Sequence, residues 1–391
     1  VSLGEGNTQN ITIEVNNVQD LNAAYAVSGM GQVNIDEDFV ERESAVSQAD
    51  EEVIELSNGC ICWRLPGDML DEVGQLANQQ DFEYLLVESS GISEPIPVAQ
   101  TFARGFEDAS FDPTGIYELD TMVSVVDAHS FWQAFDSGEA LTDDEVDPEG
   151  NRVPEAALMD QIEFCDVLLL NKCDLVPDDE LDDIEDVLRA LQPRAEIIRT
   201  EHGAVAPEQI LDTGRFDFDR ASQSAGWKQE LQGGHHHEAA AEEHGLGSFV
   251  FTSDRPFHPE RIADLLADLP AGIIRAKGFF WSAGREDIAM GLDKAGQSVR
   301  AGPNGRWIAT LPKAQQERYL AARPGLDDDW DDQWGDRGIQ LVFIGREYDE
   351  ELLVDQLEDC VLTDTEMNAN WEDYPDPFSA DDQRELALAD D

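Results

Sequence analysis

The sequence predicts an α/β chain, with a doubly wound, mostly parallel sheet followed by a small α+β domain. Three observations predict it. Five short apolar runs recur through the first half, each the length of a strand buried on both faces. Amphipathic stretches separate them, and alternation of strand and helix is the pattern of a parallel sheet. Composition then changes near residue 215, and 391 residues are too many for one ordinary core.

The runs are EVIEL (52–56), EYLLVE (83–88), TMVSVVD (121–127), DVLLL (166–170) and AEIIR (195–199). Residues 67–78 and 154–164 read as helices between them. These elements assign residues 1–215 to a first domain. Residues 216–247 are rich in Gly, Ser, His and Glu, with little apolar period, and read as a flexible linker. The second domain, 248–362, runs strand-like SFVFT (248–252), helix-like 258–268, strand-like GIIRAKGFFWS (272–282), a Gly-rich meander to about 310, strand-like IQLVFIG (339–345) and helix-like 349–358. Residues 363–391 are acidic, contain Pro, and read as a loose tail. There is no internal repeat.

The formal net charge is −60, from 85 acids against 25 bases. Such a surface repels nucleic acid phosphates and anionic lipid, which argues against both as partners. The acids run through the whole chain, so adaptation to a salt-rich cytoplasm explains them better than an acidic interaction arm. No run of 18 apolar residues is present to span a membrane, and VSLGEGNTQN carries no basic-then-apolar signal. Five cysteines without regular spacing make no disulfide framework and point to a reducing, cytoplasmic compartment.

Asn171-Lys172-Cys173-Asp174 follows DVLLL directly and has the N-K-x-D pattern of guanine-binding GTPases. A carboxylate at Asp174 can accept both N1–H and N2–H of guanine, a pair that adenine does not offer. The Lys172 stem would lie along the base and Asn171 would brace the loop. The plainer alternative is a capping Asp after a strand. Glu88, at the end of EYLLVE, opens Glu88-Ser89-Ser90-Gly91. Acids at the carboxyl ends of parallel strands lie where such sheets bind ligands. In a nucleotide enzyme Glu88 would hold Mg²⁺ through water and the Gly91 N–H would face the γ-phosphate. Otherwise the stretch is a turn. Leu3-Gly4-Glu5-Gly6-Asn7-Thr8 keeps the glycines and hydroxyl of a phosphate loop, with Asn7 where a Lys is expected. No G-x-G-x-x-G follows an early strand, which disfavours a dinucleotide enzyme.

Taken together and in this order, these motifs resemble the CobW-type family of P-loop GTPases, metal-insertion proteins related to the hydrogenase and urease maturation GTPases. GCIC preceded by ELSN is similar to the family's E-x-x-N-G-C-x-C-C metal motif. VESSGISEPIPVAQTF is similar to its Walker B and switch region. SVVDA (124–128), LLLNKCDLV (168–176), RPFHPERI (255–262) and IIRAKGFFW (273–281) resemble its later segments, so the likeness covers roughly residues 3–360. It implies a P-loop NTPase fold in the first domain. It implies GTP and Mg²⁺ at Gly4, Gly6, Asn7, Thr8, Asn171, Lys172 and Asp174, with Glu88 and Gly91 at the reacting phosphate. It also implies Zn²⁺ or Co²⁺ at Cys60 and Cys62, and delivery of that metal to a client metalloprotein.

In an extended segment Cys60 and Cys62 point the same way, and thiolates suit Zn²⁺. Trp63 occupies the third Cys position, so Glu55, a His, water or a second chain must complete the site. Sharing between chains would make a homo-oligomer. The alternative is two buried free thiols. His235, His236 and His237, with His244, offer imidazoles in the linker, which an ordering cost would keep weak. Equally, they are a polar linker that happens to contain His. His258 reads as structural. Arg275 and Lys277 lie on one strand face and read as an anion contact, an interdomain carboxylate contact or a plain salt bridge.

The departures from the family cluster in the first 32 residues. The chain starts inside the phosphate loop, Val1 stands at the family's first Gly, and Thr8-Gln9 replaces Thr-Thr. V-N-E-x-G-E becomes Val27-Ser28-Gly29-Met30-Gly31-Gln32. NITIEVNN is poor helix sequence. Loss of the Lys removes a charge-assisted phosphate contact worth about 1.5–3 kcal/mol. The expectation divides between a truncated or altered N-terminus and an impaired GTPase. The competing function is a non-hydrolysing metal-binding or scaffold protein on the same fold.

Overall fold

The computed structural model describes residues 23–27, 52–55, 84–88, 95–104, 118–136, 154–221, 225–226, 228, 246–322, 330–331 and 333–378. The chain divides into two compact units, the first Val1–Trp132 with Leu141–Gly226 and the second Gln133–Ala140 with Trp227–Asp391.

The first unit carries parallel strands in two groups. β1 (Ala23–Val27) lies between β2 (Glu52–Glu55) and β3 (Tyr84–Glu88). β5 (Val167–Asn171) lies between β4 (Val123–Asp127) and β6 (Glu196–Arg199). Every pairing is parallel, which requires crossovers, and helices Pro154–Phe164 and Asp178–Leu191 supply them around β5. All five residues of β5 are buried. Val167 and Leu169 pack with Val205 and Ile210, while Leu168 and Leu170 are equally enclosed. A strand buried on both faces has no polar alternation, and DVLLL shows none.

Helix Asp178–Leu191 buries Leu181, Ile184, Val187, Leu188 and Leu191, the spacing of one helical face. Its first turn holds Asp178, Asp179 and Glu180 and its last turn Arg189, both favourable to the helix dipole. Each fully buried aliphatic side chain stabilises by about 1.5–3 kcal/mol, so Ile184→Asp would detach this helix.

The strands implied by the four later apolar runs form within two residues of their expected ends. β1 is the strand that sequence reading missed. AAYAV contains one β-branched residue and no alternation, so only its neighbours in the sheet define it. The expected linker also begins later than its composition implied. Phe216 and Phe218 pack edge-on against Phe164 and each other, at 6.2–6.4 Å between centroids. At Gly226 a Cβ would strike the Ala190 carbonyl oxygen. Residues 216–221 and 225–226 therefore build on the first unit.

The second unit is a five-stranded antiparallel sheet, ordered β10-β9-β8-β11-β7. The strands are β7 (Leu246–Ser253), β8 (Ile273–Phe280), β9 (Ile288–Ala295), β10 (Ser298–Arg306) and β11 (Ile339–Arg346). Helices Pro259–Ala267 and Glu350–Cys360 contribute Ile262, Leu266, Leu353 and Leu357 to a core with Phe249, Phe251, Phe280, Leu341 and Phe343. The expected Gly-rich meander is instead the β9–β10 hairpin, turned at Gly296 with φ 55°. Gly278, at φ 147°, must lack a side chain because a Cβ there would overlap the Gln340 carbonyl.

Two charged side chains lie inside this unit. Arg275 is fully buried and donates to Asp293 Oδ1 at 2.6 Å and the Lys294 carbonyl at 3.2 Å. Lys277 reaches the same carboxylate at 3.6 Å, so the pair's carboxylate partner lies on the neighbouring strand of its own sheet. Lys294 is 1% exposed and donates to the Gly296 carbonyl at 2.6 Å. Trp281, Trp334 and Trp371 form a separate cluster at 5.0–5.7 Å between rings. The expected loose tail is anchored over its first part. Trp371 and Phe378 are buried, Arg285 takes Asp376 through both carboxylate oxygens, and Thr363 and Glu366 form a capping box. Two aromatic anchors and a forked ion pair outweigh the acidic composition there.

Candidate nucleotide-base site

Asn171 is the last residue of β5 and pairs in register with Asp127, the last residue of β4. Both lie at the carboxyl edge of parallel strands, where ligands bind in such sheets. Asn171 is 2% exposed. Its Oδ1 accepts the Gly203 N–H at 2.9 Å and the Thr200 hydroxyl at 3.1 Å. A backbone N–H can only donate, which fixes the orientation of the amide. The side chain therefore ties the end of β5 to the loop after β6, where His202 and Gly203 adopt φ 54° and 71°.

Lys172 has φ 63° and ψ 32°, an uncommon left-handed conformation for a side chain of this size. Its ammonium donates to Asp127 Oδ2 at 2.8 Å. Asp127 Oδ1 accepts the His129 and Ser130 N–H groups at 3.0 and 3.4 Å. Strain of this kind, of order 1 kcal/mol, persists where the surroundings over-determine it. Here a partly buried carboxylate on β4 and the anchored Asn171 do so.

The chain then makes a 3₁₀ turn, Cys173–Leu175. The Cys173 N–H donates to the Thr200 carbonyl at 3.2 Å and its thiol to the Leu170 carbonyl at 3.0 Å. Burial raises the Cys173 pKa, which keeps it a packing thiol. Asp174 is exposed on this turn, and its carboxylate accepts no hydrogen bond from the described residues. The turn thus presents an open carboxylate beside the bonded Asn171 Oδ1, Lys172 ammonium and Cys173 thiol. An open carboxylate offers two acceptors side by side, the complement of two adjacent N–H donors. The structure brings Asn171, Lys172 and Asp174 together.

Glu88 and Glu55 also come to one edge. Val27 of β1 pairs with Glu55 on one side and Glu88 on the other. The two acids end flanking strands, about 10 Å apart at the backbone given ordinary strand spacing. Gly4, Gly6, Asn7, Thr8, Cys60, Cys62, Gly91, His235, His236 and His237 lie outside the described residues. Among the described residues no group of three or more His, Cys, Asp or Glu is arranged to hold a metal ion, and no helix is long and apolar enough to cross a membrane. His258 precedes helix Pro259–Ala267 and packs against Tyr374, rings tilted at 56° and 4.6 Å between centroids.

Sequence reading missed the three residues that hold the turn, Asp127, Thr200 and Gly203. A signal existed for each. Asp127 is an acid ending an apolar strand, in the same position as Glu88. Thr200 and Gly203 follow the last parallel strand, and a Gly just past a strand end marks a close approach.

A strand-ended site on a parallel sheet, joined to an antiparallel-sheet unit, defines a two-domain α/β protein with a ligand edge. The CobW/HypB/UreG nucleotide-binding domain matches residues 2–199. The cobalamin synthesis protein cobW C-terminal domain matches residues 246–361. The chain belongs to this family. It is 36% identical to zinc-regulated GTPase metalloprotein activator 1 of Dictyostelium discoideum, over 98% of this chain and 83% of that one. It is 28% identical to a zinc chaperone of Mycobacterium tuberculosis, over 84% and 79%, and 26% identical to zinc chaperone CobW of a Sinorhizobium species, over 71% and 78%. Among solved structures, the Zn(II)-bound YjiA GTPase of E. coli aligns with a TM-score of 0.36 at 16% identity, over 87% of this chain and 99% of that one.

Proposed function

We propose that the chain is a GTP-dependent metallochaperone that holds Zn²⁺, or Co²⁺, as cargo and passes it to a client metalloprotein. The observation that carries the reading is the strained Asn171–Asp174 turn, with Asp174 open and Asn171, Lys172 and Cys173 each anchored, in a chain of this family. Relatives named as zinc chaperones and as a zinc-regulated GTPase activator support zinc as the cargo.

Asp174 accepts the two guanine N–H groups, Lys172 lies along the base, and Asn171 holds the loop. Gly4, Gly6, Asn7 and Thr8 approach the phosphates, Gly91 faces the γ-phosphate, and Glu88 stands behind a Mg²⁺ ion. When bound, that ion neutralises charge on the β- and γ-phosphate oxygens. The end position of Glu88 on β3 fits this role. Cys60, Cys62 and Glu55 hold the cargo, and Glu55 shares the sheet edge with Glu88. Nucleotide state can therefore act on the cargo over a short path. His235, His236 and His237 offer a second, weaker hold. The setting is cytoplasmic and salt-rich, supported by the acid excess, and a cargo ion shared between chains would make a homo-oligomer.

GTP turnover measured in high salt with and without Zn²⁺ tests the reading. Zinc-dependent turnover, lost in Asp174→Asn and in Cys62→Ser, is expected. A second reading, binding without hydrolysis, is favoured by Asn7. Under it GTP binds, turnover stays at background, and Asn7→Lys raises it.

A further inference from the structure

The amino-terminal end of β5 carries a feature that the nucleotide edge does not use. A cavity of about 390 Å³ opens there, lined by Cys165, Asp166, Arg194, Gly214, Arg215, Arg220 and Ala221. Its volume lies in the range of small-molecule pockets. It lies five residues upstream of Asn171 along the strand, roughly 16 Å at ordinary strand rise.

Acids outnumber bases 85 to 25 in this chain, so arginines elsewhere find carboxylates readily. Arg199 takes two, Asp182 and Glu185, and Arg255, Arg261 and Arg285 each take one. The cavity departs from that pattern. Arg215 pairs with Glu196. Arg220 donates to the Arg215 carbonyl, and Arg220 and Arg215 both favour the charge of Asp166 across the cavity. Among the described residues no carboxylate is in ion-pair contact with Arg220 or Arg194, and both are exposed. Asp166 is the wall's one carboxylate, and one of its oxygens accepts the Met122 N–H at 2.9 Å. Asp120 stands behind it, occupied by the Thr213 and Gly214 N–H groups at 3.1 and 2.7 Å. Burial pushes the Cys165 thiol up to about 12, so the floor adds no negative charge.

We propose that this cavity binds a small phosphomonoester, its dianionic phosphate held by Arg194 and Arg220 with Arg215 alongside. The guanidiniums come from separate segments, the turn before β6 and the chain from Gly214 into helix Phe218–Ala221. Guanidinium forks match phosphate oxygens bidentately. The volume beyond the phosphate accommodates the organic part. The site is independent of the nucleotide edge and makes no use of its residues.

Calorimetric titration of the full chain at fixed KCl tests the site, with inorganic phosphate in one arm and ribose 5-phosphate in the other. One site per chain is expected, tighter for the ester than for phosphate. Arg194→Gln with Arg220→Gln should weaken that site at least tenfold, with the melting temperature unchanged. Arg318→Gln, an exposed change in the other unit, should leave it intact. Phosphate held anywhere else on the chain would survive the double substitution. Absence of binding by the parent, or equal affinity in parent and double variant, overturns the proposal. Equal affinity for phosphate and ester would reduce the ligand to free phosphate and overturn the ester assignment.

Discussion

The two kinds of sheet in this molecule treat charge in opposite ways. In the parallel β4-β5-β6 sheet the strand interiors are apolar, and the polar residues Asp127 and Asn171 stand at the carboxyl ends. In the antiparallel sheet the charges sit inside the strands. Arg275 and Lys294 are enclosed, and their partners come from neighbouring backbone and Asp293. Polar groups at the strand end hold the Asn171–Asp174 turn, so their removal registers in the turn as well as in stability. Charge within a strand is held by the sheet itself, and its removal registers as stability alone.

The largest effect should come from the antiparallel sheet. Arg275→Met removes the buried partner of Asp293, which is partly exposed and keeps Lys277 at 3.6 Å, and should cost about 3 kcal/mol, the low end for breaking such a pair. Thermal unfolding should show it, and Asp293→Leu in the same chain should recover much of it. If Arg275→Met is neutral, the buried pair is not a structural element. Next, Asn171→Ala strands the Gly203 N–H and the Thr200 hydroxyl and should cost about 2–3 kcal/mol. Unlike Arg275→Met, it should also release the turn, so guanine nucleotide binding falls with stability. Loss of stability alone would erase the contrast between the sheets.

Lys294 gives a smaller effect of opposite sign. Burial lowers its pKa from 10.5 to about 8. Below pH 8 the folded protein carries the full cost of the buried charge. Between 8 and 10.5 the folded form loses the proton first, so this cost declines as pH rises. Lys294→Met should therefore stabilise by about 1–2 kcal/mol near pH 7, after loss of the Gly296 hydrogen bond. That advantage should shrink as pH climbs through 8 to 10.5. Denaturant melts across that range check the slope. The smallest effect is Glu366→Gln, whose bond to Arg261 at 2.9 Å is partly exposed. It should cost about 0.5 kcal/mol, visible only as a small midpoint shift.

The same contrast explains what the sequence could reveal. DVLLL followed by NKCD announces a doubly buried strand and a polar turn at its carboxyl end, because that unit segregates apolar and polar residues along the chain. Asp127, Thr200 and Gly203 were harder to read, since they act across strands 29 to 45 residues from Lys172 or Asn171. The β9–β10 hairpin was hidden by its glycines and Pro303, which read as a meander until pairing with β8 fixed its register. Residues 363–378 were hidden by their acids, because composition outweighed the two aromatics that anchor them.

The central claim is that Asp174 reads guanine from a turn the rest of the unit holds still. Competitive binding of GTP, ATP and XTP to the parent chain and to Asp174→Asn tests it most directly. The claim predicts that the parent prefers GTP by about 100-fold, the worth of two charge-assisted hydrogen bonds, and that Asp174→Asn exchanges this preference for XTP. Equal affinity of the parent for GTP and ATP, or an unchanged GTP preference in Asp174→Asn, would contradict it.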